Sequence, residues 1–402
     1  LKEQNHYQRA EGLAEDIRYY GQWMRYKAWE RIGHLYPKVT GPDGEEHTVI
    51  AWKWARTVQS PNPANPIETP LVSSWWLSKK KGKEAWIKAE VKDGQVVYEV
   101  QNNANGPRGE DEWTIKHGKG AKTVGDGTPF TYDYVRDEGL AGRMGSHLMA
   151  IVAEGPTGRL YFSPDAHESA ATRVGHDESV HGTIATNPRW FSPPAYGLTE
   201  FSELFTDRQL MAMTTFSKLV AEAREQALAD ALELGLPAGE SMEDSGSGSN
   251  AYADTVAVYL ALAVSKAANT NSSLTSWMND RGAFREVFSR QAIPMIWDFA
   301  EANPFFEGGG SPWQAIERVS RVVAVLPAAP AGHASQANAA TRDYKDRVIQ
   351  TDPPYYDNIG YSDLSDFFYV WLRRSLRSFH PDLVQTMLTP KAEELVANPY
   401  RH

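Results

Sequence analysis

The chain has 402 residues, 41% hydrophobic and 23% charged, which describes a globular protein and by length predicts two or three domains. It has no cysteine, which excludes disulfides, thiolate metal sites, iron–sulfur clusters and cysteine nucleophiles. Its 41 Lys and Arg against 51 Asp and Glu, a net charge of −10, argue against a surface coated for nucleic acid while leaving room for a local basic site. The longest apolar run, 256–264, falls far short of the roughly 18–20 residues of a membrane span, and the opening residues are too polar for a signal peptide. A cytoplasmic setting is therefore the expectation. Leu1 is not an initiator Met, which suggests that the start is a cut.

In chain order, residues 1–49 predict one amphipathic helix. Leu13, Ile17, Met24, Ala28, Ile32 and Leu35, with Tyr20 filling the gap, recur at helical spacing until Pro37 ends the run. Residues 50–162 change texture: alternating stretches such as 90–92 and 96–100 between Gly, Asn and Pro clusters predict a small antiparallel β module. Residues 50–125 hold twelve Lys and Arg against eight Asp and Glu, a local +4 that leaves −14 elsewhere. Within them Lys79, Lys80 and Lys81 follow Trp75 and Trp76, and Lys83 and Trp86 come next. That interleaving suits a phosphate backbone and stacked bases, or equally a solvated lysine edge over a tryptophan core. Residues 163–328 read as helical, above all 201–234, 251–266 and 313–326, with a flexible linker at 239–250 and a solvated loop at 176–181.

Residues 329–402 carry the chemistry. The β-prone pair Val348-Ile349 predicts a strand that leads into Asp352-Pro353-Pro354-Tyr355. Two prolines bar both helix and ladder, so they impose an extended turn at a strand's carboxyl end, where α/β sheets place ligands. There Asp352 and the Pro353 carbonyl can accept hydrogen bonds from an exocyclic amino group while Tyr355 stacks on the ring. A duplex base would have to be flipped out to reach them.

The motif resembles the catalytic motif of S-adenosylmethionine-dependent amino-methyltransferases, chiefly DNA adenine-N6 enzymes. The longer string 351–374, together with 12–21, 204–210 and 290–301, resembles one family: adenine-specific DNA methylases with a zinc-ribbon insert, of the DUF1156 type. The resemblance implies an α/β fold, part of a Rossmann-like methyltransferase sheet with a large α+β insert that includes a degenerate zinc-ribbon-like module. It implies S-adenosylmethionine as cofactor and DNA as partner, with Tyr356 beside the base and with restriction-modification or phage defence as the setting. It also implies a Gly-rich cofactor loop, which is missing here. The look-alike at 303–310 stands only 49 positions before Asp352, too few for the strands and helices that must intervene, and the residues before Asn303 read as a helix. Asn338 is the better cofactor candidate, standing where the family carries an Asp. The ribbon's cysteine positions look like Ser60, Asn65, Thr123 and Asp126, which cannot supply the N/S set structural zinc prefers, so no metal is expected. The chain thus resembles an internal piece whose cofactor loop belongs to a missing N-terminal region or a second chain. The alternatives are a non-catalytic DNA-binding or specificity subunit and an RNA exocyclic-amine methyltransferase. Arg373, Arg374 and Arg377 suit the C-terminal dipole of the helix after the motif, with phosphate contact as the other reading.

Overall fold

A computed structural model describes residues 7–42, 44–164, 180–327, 332, 337–354, 356–357, 359–392 and 394–397. Helix α1 (Glu11–Ile32) buries Ala14, Ile17, Tyr20, Gly21, Met24, Ala28 and Ile32, the spacing of one helical face. It ends before Pro37, in a single tight turn Gly33–Leu35.

Strands then take over. Strand β1 (Val49–Gln59) is the centre of a five-stranded antiparallel sheet, and β2 (Glu68–Leu71) pairs with its last four residues. A separate three-stranded sheet follows, β3 (Trp76–Ser78), β4 (Ala85–Lys92) and β5 (Gln95–Gln101). After the short helix α2 (Tyr132–Leu140), β6 (Gly145–Gly155) pairs along β1 with two register shifts, and β7 (Gly158–Phe162) pairs outside it. Such bulges bend a strand and add twist, which helps this sheet curl into a half-barrel.

The helical layer is built from α3 (Asp207–Glu233) and α4 (Ser249–Ala267). The intervening residues 239–250, expected as a flexible linker, close this helical pair with backbone hydrogen bonds from Ser249 to Pro237 and from Asn250 to Ala238. Strand β8 (Asp298–Ala302) returns to the sheet beside β1, and α5 (Pro312–Val325) and α6 (Tyr361–Leu376) complete the layer. Helix α5 packs on α1 so closely that a Cβ on Gly21 would lie 2.7 Å from Ile316. One apolar core joins α1 and α3–α6 to the sheet through Trp52, Leu148 and Ile151. A second core, with Ala51, Met149 and Val152, joins the sheet's other face to Leu77, Ile87 and Val96.

The chain is therefore a mixed α/β protein with several antiparallel sheets. Its main sheet pairs antiparallel among the described strands, where the Rossmann-like expectation calls for parallel neighbours. The helix expected before Asn303 is corrected to strand β8, whose five residues are all buried. Its two acids hid the strand, and both are neutralised inside the fold. Asp298 accepts from Lys53 at 2.6 Å and from the Ser73 backbone at 3.0 Å. Glu301 accepts from Arg208 at 2.8 Å, Trp54 at 2.7 Å and Thr206 at 3.0 Å. The Arg208 guanidinium also lies 3.8 Å from the Trp52 ring centroid and donates to the Leu35 carbonyl at 3.0 Å. Removing one member of such a pair strands a buried charge, whereas an apolar replacement of both does not. Glu301→Ala is accordingly expected to cost about 3–5 kcal/mol in guanidinium titration, and Arg208→Met with Glu301→Leu less. Equal losses in the single and double variants would show that the pair is not the element that matters.

Candidate functional site

The Asp-Pro-Pro turn lies on the surface, between a long exposed segment and α6. Asp352 and Pro353 are exposed and Pro354 half-buried, while Tyr355 and Asn358 lie outside the described residues. Tyr356 is 78% exposed, has a left-handed backbone with φ +52°, and donates its N–H to the Pro354 carbonyl at 3.0 Å. The strand expected just upstream is corrected: Val348 and Ile349 belong to no ladder and face solvent. An isolated two-residue β-prone run has nothing to pair with in this arrangement.

The far side of the turn is anchored. Arg189 donates to the Asp357 carbonyl at 3.3 Å and stands 3.5 Å from its carboxylate, with its guanidinium beside the Trp190 ring. Ile359 and Gly360 are buried, and a Cβ at Gly360 would lie 2.8 Å from that ring. Helix α6 begins there and buries Leu364, Phe367, Val370, Trp371 and Leu376. It packs on α3 and α4, with Phe205 stacked on Phe367 at 6.0 Å and edge-on to Trp371 at 5.1 Å. Asp366 on its first half accepts from Lys391 at 2.6 Å and from the Thr389 backbone at 2.8 Å, which ties the following segment across it.

Neither cofactor candidate forms a cradle for S-adenosylmethionine. Asn338 is exposed, and its side chain caps its own turn by accepting from the Ala340 N–H at 2.9 Å. The 303–310 loop does follow a strand and precede a helix, yet it is filled by its own side chains. Asn303 donates to the Val49 carbonyl at 2.8 Å, and the Gly310 carbonyl accepts from Thr270 at 3.0 Å and Asn271 at 2.7 Å. The Phe306 ring lies where a Gly308 Cβ would stand, at 2.2 Å. Neither of these two stretches fits this cofactor.

Of the lysine run, Lys79 lies 5.4 Å from the Trp76 ring and 3.4 Å from Glu112, while Lys80 and Lys81 are exposed. Nearby, a cleft of about 310 Å³ is lined by Trp75, Trp86 and Trp113 with Lys88 and Lys122. Lys122 stands 5.0 Å over Trp113 and donates to the Glu110 carbonyl at 2.8 Å.

The two loops that the resemblance reads as ribbon knuckles, 60–66 and 123–127, meet through hydrogen bonds. Asn62 donates to Asp126 at 2.9 Å; Thr123 also donates to it, as do the Thr128 backbone at 3.2 Å and hydroxyl at 2.9 Å. Among the described residues, no three His, Asp or Glu gather in a way that could hold a metal. Hydrogen bonds from Thr123, the Thr128 backbone and Asn62 hold the Asp126 carboxyl well below the usual carboxylate range. A carboxyl depressed in the folded state stabilises it above the unfolded value, and that contribution is lost as pH falls toward the folded one. The melting temperature of the native chain should therefore exceed that of Asp126→Asn at neutral pH, and the gap should shrink progressively as pH falls below about 4. A gap independent of pH would show that the ionised carboxylate is not what joins the knuckles.

A second cleft, of about 400 Å³, lies at the other end of α6. His181, Lys218, Arg373, Arg374 and Arg377 line it with Val180, Val370 and Met387, and no acid is among its described lining residues. The three arginines were visible as a helical cluster, but Lys218 comes from the middle of α3 and His181 from a loop far back in sequence. No spacing rule relates those positions. His181 was expected in a solvated loop of which 176–179 lie outside the described residues. No described helix is long and apolar enough to cross a membrane. No protein-family model matches the chain, and comparison with curated proteins and with solved structures likewise finds no match.

Proposed function

We propose that this chain is the target-base portion of an S-adenosylmethionine-dependent DNA adenine N6-methyltransferase, acting with a part that supplies the cofactor loop. The observation that carries this reading is the string 351–374, in which Asp352-Pro353-Pro354-Tyr355 runs directly into an aromatic-rich helix. A methyltransferase needs such a turn held rigidly, and the anchoring of Asp357, Ile359 and Gly360 supports that role.

In this mechanism the Asp352 carboxylate and the Pro353 carbonyl accept the two N–H groups of a flipped adenine. Both acceptors polarise the N–H bonds toward nitrogen and aim its lone pair at the methyl group. The N–C bond formed would be matched by the sulfur–methyl bond broken, with S-adenosylhomocysteine leaving and the surplus N6 proton passing to Asp352 or water. Tyr355 stacks on the base, and Tyr356, mostly exposed, lines the approach of the strand. When bound, S-adenosylmethionine supplies the methyl group. A restriction-modification or phage-defence role follows from the same resemblance.

A second reading, that this chain is a DNA-binding or specificity subunit inactive without its partner, is favoured by Val348 and Ile349. A β-prone pair left in solvent just before the motif suits a sheet that another chain completes. An RNA amine as substrate would use the same motif chemistry and is separated by the choice of substrate in the assay.

Two measurements test the proposal. Calorimetric titration with S-adenosylmethionine should show binding only when the cofactor-bearing part is present. In the completed enzyme, Asp352→Ala should abolish methyl transfer to DNA and change cofactor affinity by less than about twofold, because Asp352 contacts the target base and not the cofactor. Retained transfer would remove Asp352 from the mechanism.

A further inference from the structure

The tryptophans of the β module do more than fill its core. Trp75, Trp86 and Trp113 line a cleft of about 310 Å³, at the lower end of small-molecule sites. At about 30 Å³ per water it has room for about ten waters, which suits one flat ring and its sugar but not a base pair. Its walls are fixed before anything binds. The Trp75 backbone donates to the Glu112 carbonyl at 3.0 Å and accepts from the Ile87 N–H at 2.9 Å. Trp86 donates its Nε1–H to the Asn103 side chain at 3.2 Å, and its ring edge lies 2.9 Å from where a Gly106 Cβ would stand. Residues of the 123–127 loop form another wall, and Asp126 ties that loop to Asn62. Rings held in this way lose little freedom when a ligand enters.

The chemistry of the lining selects the occupant. Indole faces attract flat rings, and every nucleobase has such a face. Trp113 is 6% exposed and its buried Nε1–H has no acceptor, although buried donors ordinarily have one. A nucleobase carries ring nitrogens and carbonyls at its edge, whereas a phenyl ring or an alkyl chain offers no acceptor. Lys88 and Lys122 also line the cleft, and both are already engaged. Lys88 pairs with Glu90 at 2.5 Å, and Lys122 is held by the Glu110 carbonyl and the Trp113 ring. The indoles, and not spare charge, therefore supply the affinity. The lysines set its sign, disfavouring a quaternary ammonium and accommodating a phosphate. We propose that this cleft takes one unpaired nucleobase of a DNA strand, stacked on its indoles. DNA as partner comes from the reading above, while the contact is one that the 352–355 turn does not make. Binding here needs no cofactor, so the cleft and the methyl-transfer chemistry fail by different measurements.

The test compares binding of the full chain to three labelled DNA duplexes that differ at one position. One is fully paired, one carries a single bulged adenine, and in the third the bulged nucleotide is abasic. Fluorescence anisotropy at about 150 mM salt keeps charge beyond about 8 Å screened. The bulged adenine should bind at least about fivefold more tightly than either control, the lower bound for stacking one base. Trp86→Ala should remove that advantage and Trp86→Phe should keep most of it, with circular dichroism checking that both variants fold. In the native chain, a bulged iodouracil irradiated in the complex should crosslink to Trp75, Trp86 or Trp113, which needs no variant at all. Equal affinity for the bulged and abasic duplexes would overturn the proposal. So would an advantage that survives in folded Trp86→Ala, or crosslinks confined to other residues. A native chain that binds none of the three duplexes would overturn the DNA reading as well.

Discussion

Glu301 stands on an all-buried strand of the sheet and Arg208 on the first turn of α3 in the opposite layer. Neither charge can leave water at tolerable cost until the other arrives, so the two layers dock in one relative position or not at all. Thr206 is bound into the same cluster while capping α3, and Trp52, Trp54 and the Leu35 carbonyl complete it. A second pair, Lys53 with Asp298, sits on the same two neighbouring strands and binds Ser73 from the β module. The apolar cores supply the bulk of the driving force, which is non-directional. The buried pairs choose among the ways those cores might have packed.

That docking determines where the motif stands. Because α3 and α4 are fixed on the sheet, α6 has a defined apolar surface to lie against, and its aromatic face is spent there. The Asp-Pro-Pro turn is consequently displayed at the head of a helix with a rigid footing, and the arginines emerge at its foot beside Lys218.

The β module shows how two loops can be joined by hydrogen bonds alone. Loops 60–66 and 123–127 meet around Asp126, held by neutral donors from three positions. Hydrogen bonds of this kind are weaker than a structural metal, and Trp75, Trp86 and Trp113, which line the adjoining cleft, add apolar surface to the module.

Much was readable before any fold was known. The face of α1, the extents of α3 to α5, the apolar side of α6 and the β texture after Val49 all follow from periodicity, because local burial at a regular spacing leaves a regular trace. The motif's residue types spoke for their chemistry in the same local way. Three things had no local trace. Strand β8 carries two acids that pattern reasoning assigns to a helix surface, and only Lys53 and Arg208, 245 and 93 positions away, make their burial possible. Val348 and Ile349 have strand-forming side chains yet find no neighbour, since a strand exists only where another chain segment accepts its hydrogen bonds. The basic cleft, finally, gathers side chains from three separate segments. Propensity and spacing are properties of neighbours along the chain, whereas pairing of charges and of strands is a property of neighbours in space, which the fold alone brings together.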